Sequence, residues 1–248
     1  VVLAGLAIAA WIYTARMALM HAGLDMGDMS MPMDMPMDMP MDMPMSGGMD
    51  WTGASYGSLF LMWAVMMVAM MLPSAAPAIL TYRAGQSAAG DGRSSLAARG
   101  GFLLGYLATW AGFSAVAALI QLQLNRAVLL TPAGASTRPL LTAALLLAAG
   151  LYQFSPLKRT CLGRCRLPFA GTDLGGAFRA GVAYGTQCVG CCWLLMLLLF
   201  VAGVMTLWWV AALSVVVFVE RVGPWRRWAE RLIGAGCLAA AAWISLAR

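Results

Sequence analysis

From about Tyr56 onward the sequence alternates long apolar runs with short basic ones. Runs near twenty residues that are almost free of charge match the length a helix needs to cross the hydrocarbon core of a bilayer. In lipid every backbone polar group must be satisfied internally, which leaves helices or closed barrels. The apolar runs cover about Val1 to Met20, Tyr56 to Tyr82, Gly100 to Leu124, Pro139 to Phe154, Ala177 to Val201, Val204 to Val219 and Leu232 to Ala247. The pattern predicts an all-α chain, a polytopic transmembrane helical bundle of about seven spans. Pro73 and Pro77 are expected to kink or interrupt the second span. Gly101 and Gly105 offer the third a face for close helix packing, and a short turn is expected near Gly203.

The segment between the first two spans breaks the pattern. It reads Met31-Pro-Met-Asp34, Met35-Pro-Met-Asp38, Met39-Pro-Met-Asp42, Met43-Pro-Met45. Proline at every fourth position denies helix and favours an extended chain. Residues 1–20 thus form a first span, 21–55 an extracytoplasmic loop rich in Met, Asp and Pro, and 56–248 a six-span membrane domain.

Composition supports the membrane reading: only 10% of the residues are charged, against about 25% in a soluble domain. The net charge of +6 is explained by orientation. Arg83, Arg93 and Arg99 follow the second span, Lys158, Arg159, Arg164, Arg166 and Arg179 the fourth, and Arg221, Arg226, Arg227 and Arg231 the sixth. The opposite loops carry Arg126 and Arg138. Basic loops stay in the cytoplasm. The sequence therefore predicts a bacterial inner-membrane protein with a cytoplasmic amino terminus and an outer Met-rich loop. The bilayer is then a partner, and nucleic acid is not needed as one.

Candidate chemistry is dominated by sulfur. Cys188, Cys191 and Cys192 fall at i, i+3 and i+4 in the fifth span, on one face of a helix. Thiolates and thioethers are soft ligands that suit Cu(I), with other soft metals as alternatives. A thioether has no proton to lose, so Met33, Met35, Met37 and Met39 of the loop form a capture segment for Cu(I), joined by His21 as a borderline ligand. Met66, Met67, Met70 and Met71 form a broad sulfur face on the second span. They lie about 15–22 Å along it at helical rise, a depth similar to that of the cysteines, so the two sets can meet. The competing reading is packing, since Met and Cys are ordinary apolar fillers. Cys161 and Cys165 sit in a basic stretch expected to be a cytoplasmic loop, where thiols stay reduced and nearby cations favour the thiolate. They are candidates for exchanging a soft ion with a cytosolic acceptor, or for a redox pair. Cys237 is read as core.

The residues argue against several functions. His21 is the single histidine, which removes a bis-histidine haem and undercuts a histidine-dependent hydrolase. There is no P-loop and no H-E-x-x-H.

Three stretches together carry a resemblance: Met62 to Ser74, Tyr152 to Lys158 with Cys161 to Arg166, and Tyr184-Gly-Thr-Gln-Cys-Val-Gly-Cys-Cys-Trp193. They resemble a bacterial family of predicted metal-binding integral membrane proteins, a domain-of-unknown-function family, from about Leu59 to the carboxy terminus. The Cys-rich motif is the most specific part, and the resemblance implies metal binding. The Met-Pro-Met-Asp repeat lies outside the family's motif, although Met-rich loops between the first two spans also resemble those of bacterial copper-handling proteins. Three readings follow. The first is Cu(I) handling or transport, with a copper chaperone or a larger membrane complex as partner. The second is a membrane thiol–disulfide oxidoreductase. The third is an accessory or assembly subunit of a membrane complex.

Overall fold

The computed structural model describes residues 2–27, 54–82, 92–131, 133–164, 174–223 and 225–247. Among them the secondary structure is helical, with one isolated bridge between Leu130 and Ser136. The helices are α1 (Val2–Gly27), α2 (Tyr56–Thr81), α3 (Gly92–Arg126), α4 (Pro139–Gln153), α5 (Pro156–Arg164), α6 (Leu174–Leu197), α7 (Leu199–Ala202), α8 (Leu207–Val222) and α9 (Arg226–Leu246). The stretches Tyr56–Thr81, Leu96–Arg126, Leu174–Ala202 and Arg227–Leu246 are long and apolar enough to cross a membrane, and Leu3–Leu19 and Pro139–Gln153 are shorter apolar helices. The all-helical class holds, and helix length accounts for four of the expected spans. The first helix runs past Met20 to Gly27.

Local signals place the ends. Ser55 caps α2 by accepting from the Ser58 backbone N–H at 3.3 Å, which satisfies an otherwise orphan donor. Pro139 opens α4, where its missing N–H costs nothing. Gly203, at φ +100°, ends α7 in a backbone conformation that favours glycine, at the expected turn.

Three expectations change. The second helix is not interrupted at Pro73 and Pro77 but continues through both. The two prolines are four apart, so both missing donors fall on one side, while α1, α3 and α8 pack around the helix. The basic stretch after α4 is not a loop as far as Arg164. It forms α5, which packs on α6. Finally, Lys158 and Arg221, read as loop charges, are buried at 1% and 8% exposure. Each finds polar partners inside: Lys158 meets Glu220 and Gln153, and Arg221 meets Ser74, Tyr184 and Cys188.

The most extensive helix contact is that of α3 with α6, followed by α4 with α9. Glycine makes the first possible. A Cβ at Gly105 would collide with the Phe178 carbonyl oxygen, and one at Gly181 with that of Phe102. The backbones therefore touch, as small residues allow, and the predicted face of Gly101 and Gly105 is confirmed. This close approach brings Tyr106 of α3 against Tyr184 and Cys188 of α6.

Candidate metal centre

Helix α6 buries one stripe: Ala177, Ala180, Gly181, Tyr184, Gly185, Cys188, Cys191, Cys192, Leu195 and Met196. The period is helical, and it puts all three cysteines inward, at 0%, 2% and 1% exposure respectively. None of the three is in a disulfide. The Cys191 and Cys192 sulfurs each donate to the Cys188 carbonyl oxygen at 3.0 Å. Each thiol thus reaches back one turn, as i+3 and i+4 residues do. Among the described residues no group of three His, Cys, Asp or Glu side chains is arranged as a ready metal cage. Gathering the three sulfurs around one ion requires Cys191 and Cys192 to swing off that carbonyl.

Cys188 differs from its neighbours because its sulfur faces a cation. Arg221, in the last turn of α8, donates from Nη1 to Cys188 Sγ at 2.6 Å and to Ser74 Oγ at 3.1 Å. Its Nη2 donates to the Tyr184 hydroxyl at 2.8 Å, and its guanidinium carbon lies 5.3 Å from the centre of the Tyr184 ring. Among the described residues no carboxylate pairs with Arg221; the described ion pair is that of Lys158 with Glu220. A buried charge without a counter-ion is costly, and the groups that face this one are the Cys188 sulfur and the Ser74 and Tyr184 hydroxyls.

Tyr106 completes the contact with α2. Its hydroxyl donates to the Met71 carbonyl oxygen at 3.3 Å and lies 3.5 Å from Cys188 Sγ. The rings of Tyr82, Phe102, Tyr184, Tyr106 and Trp110 form a chain with centroids 4.6–6.4 Å apart, which reaches Cys188 through Tyr106.

A second polar group fixes the end of α8. Lys158 of α5 contacts Glu220 at 2.6 Å, Gln153 of α4 donates to the same carboxylate at 2.9 Å, and Lys158 also donates to Gln153. Glu220 and Arg221 are adjacent, so one helix turn carries both the anchor and the cation facing Cys188.

The predicted residues are distributed as follows. Met67, Met70 and Met71 are buried in the same hydrophobic core as the cysteines. Met66 is buried too and lines a cavity against α1 and α8. Segments α2 and α6 are linked indirectly: Tyr106 of α3 touches the Met71 carbonyl and Cys188, and Arg221 of α8 touches Ser74 and Cys188. Cys161 comes unexpectedly close: a Cβ at Gly190 would lie 3.1 Å from Cys161 Sγ, one residue from Cys191. Tyr152, at the end of α4, donates to the Gly190 carbonyl. His21 lies in the last turns of α1, with its side chain outside the description. Cys165, Met33, Met35, Met37 and Met39 lie outside the described residues.

Sequence reasoning missed Arg221, Tyr106 and Ser74. A signal for Arg221 existed: apolar Val222 follows it before the Gly-Pro stop, which marks one more helical turn.

A family model described as PpoB2, copper chaperone, matches residues 60–244. No curated protein and no solved structure matches the chain.

Proposed function

The chain belongs to the PpoB2 copper-chaperone family, and from that premise we propose that it is an integral membrane protein that binds and passes on Cu(I). The cargo sits on Cys188 with Cys191 and Cys192, and a thioether from α2 is available to complete the set. The observation that carries this reading is the buried guanidinium of Arg221 at 2.6 Å from Cys188 Sγ. A Cu(I) ion held by two thiolates, with the third cysteine kept as a neutral thiol, has one net negative charge. Arg221 supplies the opposite charge, so the loaded centre is neutral as a whole. A divalent ion on the same two thiolates would leave the arginine uncompensated. Thiolate and thioether donors are also the set that prefers Cu(I) to hard ions.

The remaining sulfurs give the cargo a path. The outer segment around Met33, Met35, Met37 and Met39, with His21 beside it, gathers the ion. The Cys188 centre holds it within the bilayer, shielded by the tyrosine and phenylalanine rings. Cys161 exchanges it, because the missing side chain of Gly190 brings that thiol beside the cysteine motif. Cys165 and a cytosolic acceptor lie beyond. Helices α1, α4 and α8 complete about seven crossings, with the amino terminus inside, as the basic residues imply.

X-ray absorption on the reduced, Cu(I)-loaded protein tests the centre. Sulfur scatterers at about 2.3 Å, a typical metal–thiolate distance, are expected and should be depleted in Cys188→Ser. A reduced wild type that takes up no copper overturns the proposal and leaves the redox and packing readings.

A further inference from the structure

Between α1, α2 and α8 lies a small cavity that the cysteine centre does not use. Met17 of α1, Met62 and Met66 of α2, and Met205 in the turn before α8 all line it. Its volume is about 10 Å³, near the smallest that admits one water-sized body. We infer that this cavity is a second binding site, an all-thioether one, for a single soft monovalent cation.

The chemistry of the lining supports this. A water needs two to four polar partners, and this wall offers few. Its polar side chains are those of Tyr13 and Thr14, Thr14 directs its hydroxyl to the Ala10 carbonyl at 2.9 Å, and no carboxylate, histidine or cysteine lines the space. A hard or divalent ion would lose its hydration for nothing, since the cost of burying charge rises steeply with its size. Thioether sulfur suits Cu(I) or Ag(I). The frame is well held. Met62 and Met66 are one turn apart on α2 and buried at 5% and 2% exposure. Met205 follows the Gly203 turn, and its N–H donates to the Ala133 carbonyl at 3.3 Å.

Position gives the site a use. Helices α1 and α2 flank the Met-Pro-Met-Asp segment, and Met17 and Met62 lie within three turns of those flanking ends. Along α2, Met66 precedes Met71 and Ser74, the residues linked to Cys188, by roughly 8–12 Å at helical rise. The cavity is therefore an intermediate station between capture segment and cysteine centre. Because a thioether carries no proton, it holds the ion at pH values where thiols are protonated. This inference rests on the copper reading.

The test is methionine-methyl NMR of the full-length protein in detergent, with 13C at the Met ε-methyl and Ag(I) as probe. Signals of Met17, Met62, Met66 and Met205 are assigned by single Leu substitutions, which conserve volume. Added Ag(I) is expected to shift all four together, at pH 5 as at pH 7. In Met62→Leu/Met66→Leu the shifts of Met17 and Met205 should disappear, with an unchanged melting temperature. Shifts confined to the loop methionines, with metal still bound at the cysteines, overturn the thioether site and leave the copper reading standing. A wild type that binds neither Ag(I) nor Cu(I) anywhere overturns both.

Discussion

Arg221 and Cys188 are 33 positions apart in sequence, yet Nη1 of one lies 2.6 Å from Sγ of the other. The pairing puts a permanent cation against one of three neighbouring thiols. It also distinguishes Cys188 from Cys191 and Cys192, whose sulfurs turn to a backbone carbonyl.

Replacing Arg221 should weaken Cu(I) binding rather than abolish folding. Hydrogen bonds to charged groups contribute about 1.5–3 kcal/mol, so Arg221→Met is expected to lower Cu(I) affinity about ten- to a hundredfold. Arg221→Lys keeps the charge but loses the fork shared with Ser74 and Tyr184, and should fall between. Competition against a chromophoric Cu(I) chelator measures all three proteins. Equal affinity in wild type and Arg221→Met would remove the counter-charge role.

The Lys158–Glu220 pair should behave as a buried structural unit. Removing one partner strands the other charge, at about 3–5 kcal/mol. Lys158→Met and Glu220→Leu are each expected to lower the unfolding midpoint strongly, and the double variant to recover much of the loss. A double variant as unstable as the sum of the singles would show that the two side chains are not coupled.

Close packing of α3 on α6 predicts a contrast between glycines. Gly181→Ala drives a methyl into the Phe102 backbone, and overpacking of this kind costs about 1–3 kcal/mol. At Gly112 a methyl meets nothing within 4 Å, so Gly112→Ala should be neutral or slightly stabilising. Thermal unfolding of the two variants in detergent checks this. Equal effects would mean that the helices do not touch at Gly181.

Deleting Met31 to Met45 should lower copper accumulation when external copper is scarce and leave the melting temperature unchanged. Cysteines introduced at Ser46 and Ser95 should label from opposite sides of the membrane. Unchanged accumulation across the supply range counts against capture, and labelling from the same side counts against the orientation.

Much of this molecule was legible in its sequence, because its signals are local or periodic. Apolar run length placed the helices, Pro139 and Gly203 marked an entry and a turn, and Gly101 and Gly105 announced a close contact. The i, i+3, i+4 spacing put Cys188, Cys191 and Cys192 on one face, and helical geometry alone guarantees that. The partners of that face were a different matter. Arg221 and Lys158 read as loop charges because charge at the end of an apolar run usually meets water, and only the fold showed that both turn inward. Tyr106 lies 82 positions from Cys188, and the α3–α6 backbone contact brings them together. The sulfurs of α2 and the α7–α8 turn were sorted in the same way, Met66 joining Met62, Met17 and Met205 at a separate cavity. Sequence by itself determined which residues could carry soft-metal chemistry and on which helix faces they lie. Tertiary structure decided which charge meets which sulfur, because that depends on contacts between helices far apart in the chain, for which local spacing carries no information.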